Sequence, residues 1–589
     1  MSYQAPVADI VHALKSAAGI EALMANGTVG VDMETVEAVI AEAGKFGAEV
    51  LDPLNWSGDR EGSKLVDGVV HTPKGWKEAY TQFAEAGWGA LPCPEEHGGQ
   101  GLPQMVAMAA CEIWNSANMG FGLCPLLTQG AIDAVEAHGS DYLKHTYLPK
   151  MVSGEWTGTM NLTEPHAGSD LGHLRTRAEK QADGTYRIFG TKIFITYGDH
   201  EMTDNICHLV LARLPDAPPG TRGISLFLVP KYLVNKDGTR GARNDVVCAG
   251  VEHKLGIHAS PTCVMKYGEK DGAIGYLVGE ENRGLNVMFI MMNAARLAVG
   301  VQGVAIAERA TQRAIEYAKE RKQGQTRSVG KGEMGPIIGH PDVRRNLMTM
   351  KAMTQAARAI CLVTAREIDI SRSATADAAT RAAAANKAAL LTPIAKAFST
   401  DIGCEVSSIG VQIHGGMGFV EETGAAQHFR DARILPIYEG TNGIQAIDLV
   451  ARKLPLEGGK VMMEYLGELQ KTVEDVRASN RPEFGRMGER LAETVAALAD
   501  ASKWIGKQLQ SNPDAALAGA TPYLRLFGLA SGGVYLARGA LAAVRDGNAQ
   551  SQYVALARFF AENLATAAPG LKETVVAGAD STLGMDLAV

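Results

Sequence analysis

Apolar positions recur every three to four residues over 34–51, 74–86 and 104–117, and again from the 120s to about 150. That spacing predicts amphipathic helices, interrupted by Pro92, Pro94 and the Gly98, Gly99, Gly101 cluster. Near Gly158 the texture changes. Over 158–280, β-branched and aromatic residues come in short runs such as YRIFGTKIFITYG and GISLFLVP, separated by turn dipeptides at Asp183–Gly184 and Asp271–Gly272. Strands that follow one another without intervening helices predict an antiparallel β domain rather than a parallel doubly wound sheet. Helical spacing returns over 285–324, 341–374 and 378–413, with a last helix from about Gly443. Four long helices with short connections predict an antiparallel bundle. Beyond Pro455, breaks at 480–482, 511–513 and 546–548 divide the remaining chain into further helices. The pattern predicts an α+β multidomain fold: an N-terminal extension (1–33), a helical N-terminal domain (34–157), an antiparallel β domain (158–280), a C-terminal four-helix bundle (281–454) and an additional C-terminal helical domain (455–589).

Length and composition sharpen this picture. A chain of 589 residues exceeds one ordinary core, and 46% hydrophobic with 21% charged residues is typical of a globular protein. The net charge of −8 argues against a whole-protein basic surface, so no nucleic-acid partner is expected. The eight cysteines are scattered singly and include no C-x-x-C pair, which reads as buried thiols in a reducing compartment. The first twenty residues lack a basic segment followed by a long apolar core, so no signal peptide is expected and the predicted location is cytoplasmic. The most apolar stretch, 287–306, carries Asn293 and Arg296. It predicts a buried helix rather than integral membrane association.

Familiar chemical signatures are absent from the sequence: no G-x-G-x-x-G after a strand, no H-E-x-x-H, no G-x-S-x-G, no zinc-type cysteine spacing. GQTRSVGK at 324–331 resembles a phosphate loop, but it has one residue too many between its glycines and Gly332 stands where Ser or Thr is needed. A mobile loop is the better reading. Three stretches stand out instead. NLTEPHAGSDLGHL (161–174) exposes many N–H groups and hydroxyls, which suits a polar ring or phosphate, or equally an ordinary linker. QIHGGMGFVEE (412–422) holds Gly415, Gly416 and Gly418, which permit a close backbone approach or simply cap a helix. In ARILPIYEGTNGIQ (432–445), Glu439 sits in an apolar run. Poor solvation there would raise its pKa toward the range useful for a base, although a capping Glu is the commoner case.

These three stretches, in this order and spacing, resemble the acyl-CoA dehydrogenase family. GTKIFIT (190–196), GEENRGL (279–285) and RKQ (321–323) fall between them, and the likeness runs from about residue 35 to 455. The resemblance implies FAD in a cleft between the β domain and the bundle, with an acyl-CoA thioester as substrate. It implies Glu439 as the base that removes the α-proton, its own backbone N–H also facing the thioester carbonyl. By the same likeness Met160, Leu162, Thr163 and Ser169 line the flavin. Phe194 stands where the family has a frequent Trp, and Thr196 lies near flavin N5. Thr441 touches the pyrophosphate, while Arg321, Gln412, Gly415 and Gly416 reach the ADP half of a neighbouring subunit's FAD. Substrate contacts are implied for Ser169, Asn293, Arg296, Tyr438 and Gly440.

The N-terminal extension and the C-terminal domain resemble a large-subunit branch. That likeness implies 3-(methylthio)propanoyl-CoA as substrate and 3-(methylthio)acryloyl-CoA as product, in dimethylsulfoniopropionate demethylation. An electron-transfer flavoprotein as electron acceptor and a homodimer, or a homotetramer, are implied as well. Two rivals are a dehydrogenase for straight-chain fatty acyl-CoA and a flavin-containing DNA-associated protein on the same scaffold. The latter needs a basic tail surface, which the near-balanced charges of 455–589 do not supply. The loop after Arg321 is longer than the usual connection, His340 and Pro341 stand where a His-Gln pair is frequent, and Gly443 replaces a frequent Gln.

Overall fold

The helical N-terminal domain is organised around a buried central helix. The computed structural model describes residues 3–587, and within it every residue of Gln104–Ala117 is buried. A helix apolar all round must be covered on every side. Here Met33–Phe46 covers one face and the bundle helices Gly284–Glu320 and Pro341–Arg372 cover others. The domain also holds a hairpin, Lys64–Val66 with Val69–His71, between the helices expected over 34–51 and 74–86. Its turn is Asp67–Gly68, both left-handed at φ 50° and 77°, the dipeptide that two-residue hairpins favour.

The β domain runs in the order Val246–Val251, Thr262–Tyr267, Tyr186–Thr196, Ala273–Leu277, Ser225–Pro230, Asn205–Ala212, Trp156–Asn161, with Arg177–Lys180 also paired to the long third strand. One pair departs from the antiparallel expectation: Trp156–Asn161 runs parallel to Asn205–Ala212. Residues 162–204, two strands among them, lie between the two and supply the long crossover that parallel pairing needs.

Three long helices build the bundle: Gly284–Glu320, Pro341–Arg372 and Ala378–His414. The fourth, Asn442–Asp448 with a wide turn over Leu449–Lys453, is short rather than long. Gly300 and Gly303 let the first and third bundle helices approach backbone to backbone. A Cβ on Gly300 would lie 2.4 Å from the Ala395 carbonyl oxygen, and one on Gly303 2.3 Å from that of Ser399. This contact sets Arg296 and Lys396 on facing helices beside the 433–441 segment. The C-terminal domain packs its buried helix Ala520–Arg545 onto the bundle, where Gly528 meets the Phe398 ring, and Arg525 pairs with Glu405 at 2.7 and 2.8 Å. The breaks expected near 480, 512 and 547 all separate helices there. The loop over 324–340, for which the sequence predicts mobility, is held by Gly335 N donating to Gly324 O at 2.9 Å and by buried Thr326. Gly284–Glu320 and Ala520–Arg545 are long and apolar enough to cross a membrane, but both bury most of that surface within the protein.

Candidate active site

After the short helix Ala425–Ala432, buried Leu435 anchors a series of tight turns that ends at the N-cap Thr441. Asn442 N donates back to Pro436 O at 2.9 Å, closing this segment on itself. At its tip Glu439 and Gly440 are both left-handed, with φ 56° and 85°. For a residue with a Cβ such a conformation costs about 1–2 kcal/mol, so the surroundings must impose it. Gln445 Nε2 donates to Glu439 O at 3.3 Å and Lys396 Nζ donates to Gly440 O at 2.9 Å. Tyr438 OH donates to Gln302 Oε1, and Gln302 Nε2 donates to Asn115 Oδ1 at 3.0 Å, tying the segment through the bundle to the N-terminal domain.

Burial dominates the electrostatics at 439. Burial raises the Glu439 carboxyl to about 7, with Arg296 and Lys396 pulling the other way. Arg296 is itself buried. Its Nη1 donates to Asn293 Oδ1 at 3.2 Å and stands 3.9 Å from Asp448, while its Nε has no partner. The Glu439 backbone N–H meets no acceptor among the described residues. A carboxylate that titrates near neutrality, next to an unused N–H donor, can take a proton and support a developing oxyanion at one point.

On the β side, the 161–174 stretch is fixed from beneath. Buried Glu164 accepts from Lys192 Nζ at 2.9 Å and from the N–H groups of Arg175 and Thr176 at 2.7 and 3.0 Å. Burial opposes its charge, but Lys192 and Thr176 hold it below the usual carboxylate range. Lys192 also donates to Leu162 O at 2.9 Å, and Ile193 N donates to Thr163 O at 2.9 Å. Met160 is buried, Leu162 and Thr163 are half-buried and Ser169 is exposed; no hydrogen bond among the described residues engages the hydroxyls of Thr163 or Ser169. Phe194 is 59% exposed on a left-handed backbone, φ 59°, an unusual site for a large aromatic unless a flat group covers it. Thr196 accepts from Thr159 Oγ1 at 2.7 Å through its carbonyl, leaving its own hydroxyl unused.

Two connections bring the halves together. Helix Met119–His138 meets the first strand where Thr128 Oγ1 accepts from Gly158 N at 3.1 Å. The same helix meets the bundle at Gly130, whose Cβ would lie 2.8 Å from Met291, just before Asn293 and Arg296. From the other side Thr196 pairs with Thr262, and the preceding loop docks on the helix before Glu439 as Ile257 N donates to Asp431 at 2.6 Å. Thr441 spends its oxygen as N-cap, accepting from Ile444 N at 3.3 Å. Arg321, Gln412, Gly415 and Gly416 do not join this site. They are exposed at the far ends of their helices, with Arg321 roughly 38 Å along the helix from Arg296. Lys396, Asn442, Gln445 and Gln302 were missed from the sequence. Lys396 had the same signal as Glu439, a lone charge within an apolar run, LLTPIAKAF.

Comparison with known proteins agrees with this layout. Four family models match: "Acyl-CoA dehydrogenase, N-terminal domain" over 33–155, the "middle domain" over 159–268, the "C-terminal domain" over 282–454, and "Acetyl-CoA dehydrogenase C-terminal like" over 465–586. A 3-methylmercaptopropionyl-CoA dehydrogenase of Ruegeria pomeroyi is 50% identical over 92% of each chain. A broad-specificity linear acyl-CoA dehydrogenase of Mycobacterium tuberculosis is 34% identical, over 85% of this chain and 82% of its own. An acyl-CoA dehydrogenase of Bacillus anthracis, solved with FAD, superposes with a TM-score of 0.71 at 20% identity, covering 94% of this chain and 90% of that one.

Proposed function

The chain belongs to the acyl-CoA dehydrogenase family, and from that premise we propose that Glu439 is the base of an FAD-dependent α,β-dehydrogenation of an acyl-CoA thioester. The enzyme class and the cofactor follow from the family. The observation that carries the assignment of the base is a carboxylate near pKa 7 on a strained left-handed turn, facing two buried cations. The residues present fit a flavin: the free hydroxyls of Thr163, Ser169 and Thr196 suit its polar edge and the bare face of Phe194 suits its ring.

Bound FAD supplies the acceptor for the hydride that leaves the β-carbon. The protein's own contribution is the proton. Glu439 takes the α-hydrogen as a proton while its N–H, free of any internal acceptor, donates to the thioester oxygen as charge builds there. The Cα–H and Cβ–H bonds break, a Cα=Cβ double bond forms, and the product is the trans-2,3-enoyl thioester. Arg296 and Lys396 favour the ionised carboxylate before transfer, and in this proposal Asn293, Tyr438 and Gly440 line the substrate side.

We assign 3-(methylthio)propanoyl-CoA as the preferred substrate and 3-(methylthio)acryloyl-CoA as the product, on the 50% identity to the Ruegeria enzyme over nearly the whole chain. Linear acyl-CoA is the second reading, favoured by the Mycobacterium relative. Arg321, Gln412, Gly415 and Gly416 belong in this proposal to the ADP half of a second subunit's FAD, which calls for a homodimer or homotetramer; a cytoplasmic location and an electron-transfer flavoprotein as acceptor complete the proposal. Turnover of the purified protein with methylthiopropanoyl-CoA against C4, C8 and C16 acyl-CoA decides the substrate. The methylthio ester should give the highest kcat/KM; a preference of tenfold or more for any straight chain overturns the assignment.

A further inference from the structure

Lys396 is wholly buried on the bundle helix Ala378–His414. Its ammonium donates to Gly440 O at 2.9 Å and to Asn442 Oδ1 at 2.8 Å. Asn442 is held in turn by Ala397 O at 3.1 Å, Thr400 Oγ1 at 3.0 Å and Asp401 Oδ1 at 2.7 Å. The ammonium therefore sits behind the turn, gripping the carbonyl that directly follows the base, with neutral oxygens as its hydrogen-bond partners. A buried ammonium whose contacts are neutral costs several kcal/mol. A glutamine or methionine would fill similar space without that penalty.

The charges around Lys396 come from five elements. Glu439 lies on the turn it holds and Asp401 on its own helix. Arg296 faces it from Gly284–Glu320, with Asp448 of the short helix behind Arg296 at 3.9 Å. Arg525 of the C-terminal domain faces Asp401, with Glu405 beside it. Burial pushes the Lys396 amine down to about 7, against the opposing pull of Glu439 and Asp401. The carboxylate and the amine thus titrate in the same range, each favouring the charged form of the other.

We propose that Lys396 is the positioning residue of the base: its grip on the Gly440 carbonyl fixes the left-handed turn that aims Glu439, and its charge favours the carboxylate before proton transfer. The inference rests on Glu439 being the base. A purely structural lysine would hold the segment without altering the titration of its neighbour.

The holoenzyme variants Lys396→Met, Lys396→Gln and Glu439→Gln test it, with 3-(methylthio)propanoyl-CoA and butanoyl-CoA as substrates. Flavin reduction is followed by stopped flow from pH 5 to 9, and α-hydrogen exchange into D2O by mass spectrometry as a readout independent of redox turnover. In wild type both rates should rise with pH through a midpoint near 7. Loss of the cation should move that midpoint up by about one pH unit in both lysine variants. The limiting rate should drop tenfold or more in Lys396→Met, with KM changed less than about threefold. Lys396→Gln keeps a donor for Gly440 O and should recover part of the limiting rate but not the midpoint. An unchanged or lowered midpoint in flavin-loaded variants overturns the proposal. So does failure of both to fold with flavin, since the role is then structural. If Glu439→Gln still exchanges the α-hydrogen, the assignment of the base itself has failed, which is a separate result.

Discussion

The first bundle helix, Gly284–Glu320, carries two clusters of buried charge roughly 18 Å apart, and they are built on opposite principles. At Glu308 the charges are met by direct ion-pair hydrogen bonds, although Arg358 Nη1 finds no partner among the described residues. Arg358 Nε donates to Glu112 at 3.0 and 2.9 Å, its Nη2 donates to Glu112 at 2.6 Å and to Glu308 at 2.8 Å, and Gln312 Nε2 supports Glu308 at 2.9 Å. Burial works against the Arg358 charge, but Glu112 and Glu308 outweigh it and hold the guanidinium ionised. At Arg296 the charges are left short of partners: the nearest carboxylate stands 3.9 Å away and Nε meets nothing. Lys396 grips neutral oxygens and Glu439 titrates near 7. The first arrangement locks the N-terminal domain to the bundle. In the second, burial raises the Glu439 carboxyl to about 7 because Arg296 and Lys396 act on it through charge alone, with no hydrogen bond to offset desolvation. The Glu164–Lys192 pair is of the first kind in the service of the second, a saturated pair that immobilises the loop beside the reacting region.

Substitution should separate the two clusters cleanly. Glu439→Gln should lower the rate of α-proton removal at pH 8 by about a thousandfold or more while flavin stays bound, measured by single-turnover flavin reduction. Retention of a tenth of the wild-type rate would erase the distinction between the clusters. Arg358→Met should do the reverse. It strands two carboxylates in the interior and should cost about 3–5 kcal/mol in urea unfolding, with kcat per bound flavin within about twofold of wild type. The mildest change is Glu112→Gln, which retains an acceptor for Arg358 and deletes one of two negative charges. It should cost under about 2 kcal/mol at pH 8. Burial raises the Glu112 carboxyl, with Arg358 opposing and Glu308 adding to the rise. Its contribution to stability is therefore greatest below the unfolded carboxylate range and is lost as pH rises through the folded value. The deficit of Glu112→Gln relative to wild type should consequently widen as pH falls from 8 toward 5. A deficit that narrows instead would show that Glu112 is stabilised as an anion, contrary to its burial.

Much of the element pattern was legible along the chain because it is local. Breaks at Asn480–Pro482 and Ser511–Pro513 end helices wherever they occur, and the 104–117 period yields a helix whatever surrounds it. The Asp67–Gly68 hairpin was legible too but was passed over, its strands being only three residues each. Glu439 stood out as a lone charge among apolar neighbours, while Lys396 carried the same mark and was not recognised. The short fourth bundle helix and the parallel strand pair were not legible, since each depends on what lies opposite in space.

The amino-acid order by itself determined the helices, the strand runs, the sequence of domains and the candidacy of Glu439, because periodicity, turn chemistry and an isolated carboxylate are properties of short segments. Only the tertiary structure decided that burial raises the Glu439 carboxyl to about 7, that Lys396 and Arg296 flank it, and that Arg321 and Gln412 lie far from it. Desolvation and Coulomb attraction depend on distances across the fold. Here those distances are set by Gly300 and Gly303, which bring two long helices into backbone contact and converge charges a hundred residues apart on one turn.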